Sequence, residues 1–425
     1  MSSLGPVTAG RRSLAARAHT PIWLVTAVVA VATAIGLVAL WPTGEAPDLA
    51  VTTQGIDYVD AAVGAVDIVD CDNPLEGLPT QCQVVDVSIT SGPTGGEAAT
   101  FLSSLIDFST PRFESGDRVV LAYNDLAPPD FQYVFVEFQR DAPLALLGIV
   151  FAAVVVGFGR WKGLRALAGL AVSLTAIVGF LLPSLLRDNN AVAVALVTTS
   201  VVAFSALYLA HGVSKATTVA LLGTLASVVV ITVLAAVVAA AAELSGLSGE
   251  SFQLLRVTAE AIDPRGILIA GIVIGALGVL DDVTVTQVSA VTELRRANPD
   301  LPARELYQSA IRIGRDHVAS TVNTLVLAYV GASLALMLFF LQEGRSIGQV
   351  LSREVVAIEI TRALVGSIGL ILSVPLTTAL AVVAGDVGDS HPGHSHGARR
   401  QAGPTEAKDD TTTATPSWDD FGPQT

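Results

Sequence analysis

Long apolar runs broken by short charged connections dominate the chain. A helix crosses the roughly 30 Å hydrocarbon core with about 20 mainly apolar residues, rising about 1.5 Å per residue. Eight runs reach that length, at 22–40, 142–159, 166–186, 191–210, 219–243, 267–291, 319–341 and 355–384, the sixth and eighth with charges inside them. Residues 41–141 follow a different pattern. Apolar and polar positions alternate there, as in Cys82–Ile89 and Tyr133–Phe138, with turn signals at Ser91-Gly92-Pro93 and Ser115-Gly116-Asp117. That pattern predicts about five strands in a small barrel of OB or SH3 type. The expected fold is an α-helical polytopic membrane protein of about eight transmembrane helices, with a small extracytoplasmic all-β domain between helices 1 and 2.

Composition agrees with lipid as the solvent. Of 425 residues, 52% are apolar and 15% charged, against about 25% charged in a soluble domain. Mean hydropathy is +0.61, which excludes a single soluble domain and a disordered chain. A net charge of −14 argues against nucleic acid, which needs a basic footprint. The first run follows Arg11, Arg12 and Arg17; its 19 residues exceed a signal-peptide apolar region, so it reads as an uncleaved anchor. With the N-terminus inside, fifteen Lys and Arg fall in inner segments and five in short outer loops. That bias places both termini in the cytoplasm and residues 41–141 outside. The expected division is a cytoplasmic N-terminus (1–21), an anchor (22–40), the outer β domain (41–141), a seven-helix membrane domain (142–384) and a disordered cytoplasmic tail (385–425).

The chain's two cysteines, Cys71 and Cys82, lie in the outer segment ten residues apart. An extracytoplasmic pair this close is expected to form a disulfide, the alternative being two unrelated thiols. No further metal ligands accompany them. The tail carries His391, His394 and His396, a pattern that can collect metal, though three histidines in an unfolded tail bind weakly. No metal and no cofactor are assigned.

Polar groups inside the apolar runs are the candidate chemistry. In the sixth run Gly271, Gly275, Gly278, Asp282, Thr286 and Ser289 recur at the helical period and share one face. Gly271 and Gly275 have the small-x3-small spacing of close-packed membrane helices, so this stripe is expected to pack on another helix. Asp282 lies on it, and Asp281 about 100° round beside Thr284 and Gln287. Two adjacent acids at this depth are not expected to be ionised together. The functional reading is a proton or cation site; the structural one is an interhelical hydrogen-bond pin, or an acid at headgroup level. Asn323 in the seventh run is expected near the level of Asp282. In the eighth, Glu359, Arg362, Gly366, Gly369 and Ser373 form a second stripe. Glu359 and Arg362 are placed to neutralise each other or to snorkel outward, and Pro375 to bend the helix. Between the sixth and seventh runs, 302–316 reads as an amphipathic surface helix with Asp300 as its N-cap. His211-Gly212 and Lys215 read as a positive-inside turn.

No Walker loop, nucleophile elbow or H-E-x-x-H motif is present, so no enzyme is expected. Four stretches carry a resemblance instead: His211-Gly-Val-Ser-Lys215-Ala-Thr with Gly223-Thr224; Gly275-Ala-Leu-Gly278-Val-Leu-Asp-Asp-Val-Thr-Val-Thr-Gln with Glu293-Leu294; Gly314-Arg-Asp316 with Asn323 to Gly331; and Glu359-Ile-Thr-Arg362 through Gly366, Gly369 and Pro375. In this order, over roughly 140–385, they resemble the YibE/F family of bacterial multi-pass membrane proteins. The resemblance implies a cytoplasmic-membrane location and supplies no chemistry. A looser likeness is to resistance-nodulation-division transporters, with Asp282, the 302–316 helix and Gly314-Arg315 in corresponding places; eight spans rather than six make it an analogy. The expected function is a permease or export component, proton-coupled through Asp282, with Asp281 as the alternative, in a pore between the sixth, seventh and eighth runs. The alternative is a scaffold whose outer domain binds an envelope partner. The partners are the bilayer and an unidentified solute or envelope protein, and the stripes fit a homodimer and an intrachain contact equally.

Overall fold

The computed structural model describes residues 11–43, 56–70, 81–104, 111–187, 189–247, 263–342, 344 and 346–385. Cys71 and the His391, His394 and His396 tail lie outside these residues. Helix α1 (Arg11–Ala39) precedes five strands, β1 (Ile56–Asp70), β2 (Gln81–Ile89), β3 (Ala98–Ser104), β4 (Arg118–Asn124) and β5 (Tyr133–Phe138).

The strands form one antiparallel sheet in the order β3-β2-β1-β4-β5. The long β1 serves both halves. Ile56–Ala62 pair with β4 and Ala61–Asp70 with β2, with a register shift between Val63 and Val66. A bulge of this kind bends a strand and increases its twist. The alternating inward residues Val59, Ala61, Val63, Val85, Val87, Val119 and Leu121 build the core with Phe101 and Phe113. At the two sheet edges Phe101 of β3 stacks on Phe135 of β5 at 6.3 Å, and Phe113 meets Phe135 edge-on at 4.8 Å. The buried Gln83 pins the connecting loop: its Nε2 donates to the Pro111 carbonyl (2.8 Å) and its Oε1 accepts from Phe113 N (3.1 Å). The turn at Ser91–Gly96 needs Gly92, whose φ of +85° suits glycine.

From Asp141 onward the fold is helical: α2 (Asp141–Ala176), α3 (Ala191–His211), α4 (Lys215–Ala241), α5 (Pro264–Ala297), α6 (Ala303–Ala332), α7 (Leu334–Gln342), α8 (Ile347–Leu351) and α9 (Glu354–Ala384). Among the described residues six helical runs are long and apolar enough to cross a membrane, or seven if α6 and α7, bent by 56° at their junction, count as one span. Eight were expected from the sequence. The difference lies in 142–159 and 166–186, which belong to one 45-residue helical run, Asp141–Leu185. Two helices meet in that run at a kink: the charged Arg160–Arg165 stretch separates them, as the sequence pattern expects, and Arg160 (φ 50°, ψ −128°) leaves helical geometry. The chain turns so tightly there that a Cβ on Gly163 would run into the Val155 carbonyl.

A second difference concerns 302–316. It is not a separate surface helix but the first half of α6, which runs without a break to Ala332. Its apolar stripe continues as Leu306, Ala310, Gly314 and Val318, all buried, so nothing in the pattern stops it. Pro302, not Asp300, takes the N-cap position. Pro375 sits inside α9, which stays helical from Glu354 to Ala384.

Contacts at the helix ends fix their directions. At one end Ser184 Oγ (2.9 Å) and Asn189 Nδ2 (3.3 Å) donate to the Leu40 carbonyl. At that end too, Glu354 Oε1 accepts from Ser245 N (2.6 Å), Ser245 Oγ (2.7 Å) and Gly246 N (2.8 Å). At the other end Lys215 Nζ donates to the Ala384 carbonyl (2.7 Å), a cation on a helix C-terminus. Helix α5 is central. It packs on α3, α4, α6 and α9, burying Leu268, Ile272 and Leu280 against Leu207, Ile231 and Val365.

Candidate functional site

The glycine stripe of α5 does not point where its small residues suggest. The buried face of α5 is the bulky one, with Ile272, Ala276, Leu280, Val283, Gln287 and Val291. Gly271, Gly275, Gly278, Asp282 and Ser289 are exposed. A Cβ on Gly278 would meet nothing within 4 Å, one on Gly271 would come only to 4.0 Å from Arg362 Nη2, and one on Gly275 would lie 3.0 Å from the Tyr329 hydroxyl. The expectation that this stripe is a helix-packing seam is therefore corrected. Within this chain α5 turns its large apolar side chains to the bundle and its small residues outward. On α9 the opposite holds: Gly366 and Gly369 are buried, Gly366 against Leu325 of α6 and Gly369 directly under Ile231 of α4.

The two acids are consequently divided. Asp282, on the outward stripe, has a side chain 74% exposed, with Oδ2 3.8 Å from Nε2 of His317 on α6. His211, at the end of α3, lines a small cavity together with Ser289 of the same stripe. Asp281 turns into the bundle. Its Oδ1 is buried with no hydrogen-bond partner among the described residues, and its backbone carbonyl accepts from Thr284 Oγ1 (3.1 Å). Around it lies a cluster drawn from four helices. Thr224 and Thr284 hydroxyls are 2.8 Å apart. One turn further on, Gln287 Nε2 donates to the Ala310 carbonyl of α6 (2.9 Å) and to Thr378 Oγ1 of α9 (2.7 Å). Thr224, Thr284 and Thr378 are fully buried and Gln287 nearly so. Gly314 permits this crossing, since a Cβ there would sit 2.6 Å from Gln287 Oε1.

Asn323 joins neither group. It is exposed on α6, because α6 starts at Ala303 and runs antiparallel to α5, which brings His317 rather than Asn323 opposite Asp282. Glu359 and Arg362 form the ion pair that their spacing allows, with Arg362 Nη1 3.0 Å and 3.1 Å from the two carboxylate oxygens and both side chains about a quarter exposed. Glu359 also borders an apolar cavity of about 180 Å³ between α6, α7 and α9, with Tyr329, Ser333 and Met337 in its wall. Cys82, almost buried at the start of β2, is disulfide-bonded. Among the described residues no group of three or more His, Cys, Asp or Glu is arranged to hold a metal ion.

Reasoning from sequence picked out Asp281 with its neighbours Thr284 and Gln287, but missed Thr224, Thr378 and His317. The available signal was the recurrence of Thr and Ser along otherwise apolar helices, such as Thr217, Thr224, Ser227, Ser373, Thr377 and Thr378. Each such hydroxyl can satisfy itself on its own helix, as Ser227 and Thr378 do on the carbonyls of Gly223 and Val374. Their presence alone therefore does not reveal a shared cluster.

A family model described as YibE/F-like protein matches residues 147–385. No curated protein and no solved structure matches the chain.

Proposed function

The chain belongs to the YibE/F-like family, and on that premise we propose that it is a multi-pass protein of the cytoplasmic membrane that works as a permease or export component coupled to protons, with Asp281 the group that binds and releases them. Both termini lie inside and residues 41–141 outside. The observation that carries the reading is the Asp281 carboxyl in a buried cluster contributed by helices α4, α5, α6 and α9, with one oxygen left without a partner. A carboxylate within a membrane is costly, about 2.5–3.5 kcal/mol on insertion scales, and groups retained at such cost move ions or hold helices together. The hydrogen bonds that surround Asp281 join Thr224 to Thr284 and Gln287 to Thr378, so the helices hold together without an ionised acid. Titration is the role this leaves for Asp281.

A scaffold reading has its own observation. The sheet presents Tyr58, Ile68, Leu102, Phe131 and Val134 well exposed, a surface that an envelope protein could cover. The two readings separate in liposomes carrying the purified chain and an internal pH dye under an imposed membrane potential. The permease reading expects protons to enter, and to enter equally when residues 56–138 are replaced by a short linker. A scaffold admits none in either form.

A further inference from the structure

Four helices surround α5 in the order α3, α4, α9, α6, each packed on the next, and α6 and α3 form no packed pair that would close the ring. The outward stripe of α5 faces that gap. Its floor is Gly271, Gly275, Gly278, Asp282 and Ser289. One wall carries His317, and the end of the other carries His211. The floor is low because it is glycine. Nothing stands within 4 Å of where a Gly278 side chain would begin, and about one turn to either side are Asp282 and the Gly275–Tyr329 approach.

Hydrocarbon cannot fill this gap. The Asp282 carboxylate is exposed in the middle of a 34-residue helix, and His317 Nε2 at 3.8 Å stands beyond hydrogen-bond distance, so the carboxylate's own hydrogen bonds require a further polar neighbour. The nearest charged groups on the other two helices do not supply it: Glu359 and Arg362 of α9 neutralise each other, and Lys215 of α4 caps α9 at the inner end. We infer that the gap between α3 and α6 is a water-filled groove, open to the inner side between His211 and His317 and leading protons to Asp282. It rests on the membrane placement proposed above and not on transport. It assigns Asp282 to the aqueous path, where Asp281 belongs to the buried cluster.

The test is sided thiol labelling of the full chain in sealed inside-out vesicles with a membrane-impermeant methanethiosulfonate. Gly278→Cys, Leu280→Cys and Ala297→Cys are each compared with the wild-type chain as background. Gly278 has open space for the new side chain, Leu280 is fully buried, and Ala297 is the exposed last residue of α5. The groove predicts labelling at 278 and 297 and none at 280. Labelling at 297 without labelling at 278 overturns the groove and leaves the topology standing. A Gly278→Cys chain that instead oxidises to a covalent dimer also overturns it, since a second copy then fills the gap. No labelling at 297 removes the topology itself, and the groove with it. Ser289→Cys, about three turns nearer the inner end and also exposed, repeats the measurement if Gly278→Cys does not accumulate.

Discussion

Two glycines with the same helical spacing have opposite surroundings, and their substitution separates packing from conformational cost. A methyl group at Gly369 would collide with Ile231, so Gly369→Ala is expected to lower stability by about 1–3 kcal/mol through overpacking. At Gly278 the same methyl meets nothing, and Gly278→Ala should raise stability by up to about 1 kcal/mol from helix propensity alone. Thermal unfolding of the two variants in detergent checks both; equal effects would mean that the stripes are equivalent. Gln287 is a further test. Gln287→Leu removes both donated hydrogen bonds and strands buried acceptors on two helices, with an expected loss of about 1–3 kcal/mol. These residues also mark what the sequence conceals. Spacing identified which groups share a face of α5 and placed Asp281 about 100° from Asp282, but it carried no sign for which face turns inward. The expectation that small residues pack holds on α9 at Gly366 and Gly369 and not within this chain on α5, whose bulky face meets the bundle.

Helices were legible where apolar runs end at charge, and less so where charge does not break the backbone. The starts of α3, α4, α5 and α9 fall within a few residues of the limits expected from the pattern, and β2 and β5 contain the alternating segments read as strands. The charged stretch at 160–165 separates two helices with no more than a kink at Arg160, the residue that leaves helical geometry. Its positive φ is one that L side chains rarely adopt, at a cost of order 1–3 kcal/mol. Arg160→Gly should therefore raise the unfolding temperature, and a fall would show that the arginine side chain stabilises the turn by more than the strain it imposes. At the far end of the bundle Glu354 holds the segment after α4 through three hydrogen bonds to one oxygen. Glu354→Gln removes the charge from those bonds, which are about twice as strong when the acceptor is ionised. Amide exchange at Ser245, Gly246 and Leu247 is expected to accelerate in that variant, and unchanged exchange would mean that the latch is not what orders the segment.

Over the whole molecule, the division into an all-β segment followed by an apolar helical bundle was readable from the change of period at about residue 141, because strand and helix periods differ and each persists for several elements. What joins the bundle was not readable. Contacts between Thr224 and Thr284, or Gln287 and Thr378, bring together residues 60 and 91 positions apart, and no local pattern encodes such a pairing. Compartment is testable at this scale through the cysteines. With Cys82 disulfide-bonded and two cysteines in the chain, the denatured, unreduced protein should take up no maleimide, and the reduced protein two. Two labels before reduction would place these residues on the reducing side and reverse the topology.

The account stands or falls on which carboxyl carries the proton. Proton entry into liposomes under an imposed potential should vanish in Asp281→Asn, which keeps the side chain's shape and loses its titration, and return at least in part in Asp281→Glu. Asp282→Asn should slow entry without abolishing it, since Asp282 stands on the path and not at its end. Undiminished flux in Asp281→Asn, from a protein that folds and reconstitutes as the wild type does, would contradict the assignment and reduce the buried cluster to a device for holding four helices together.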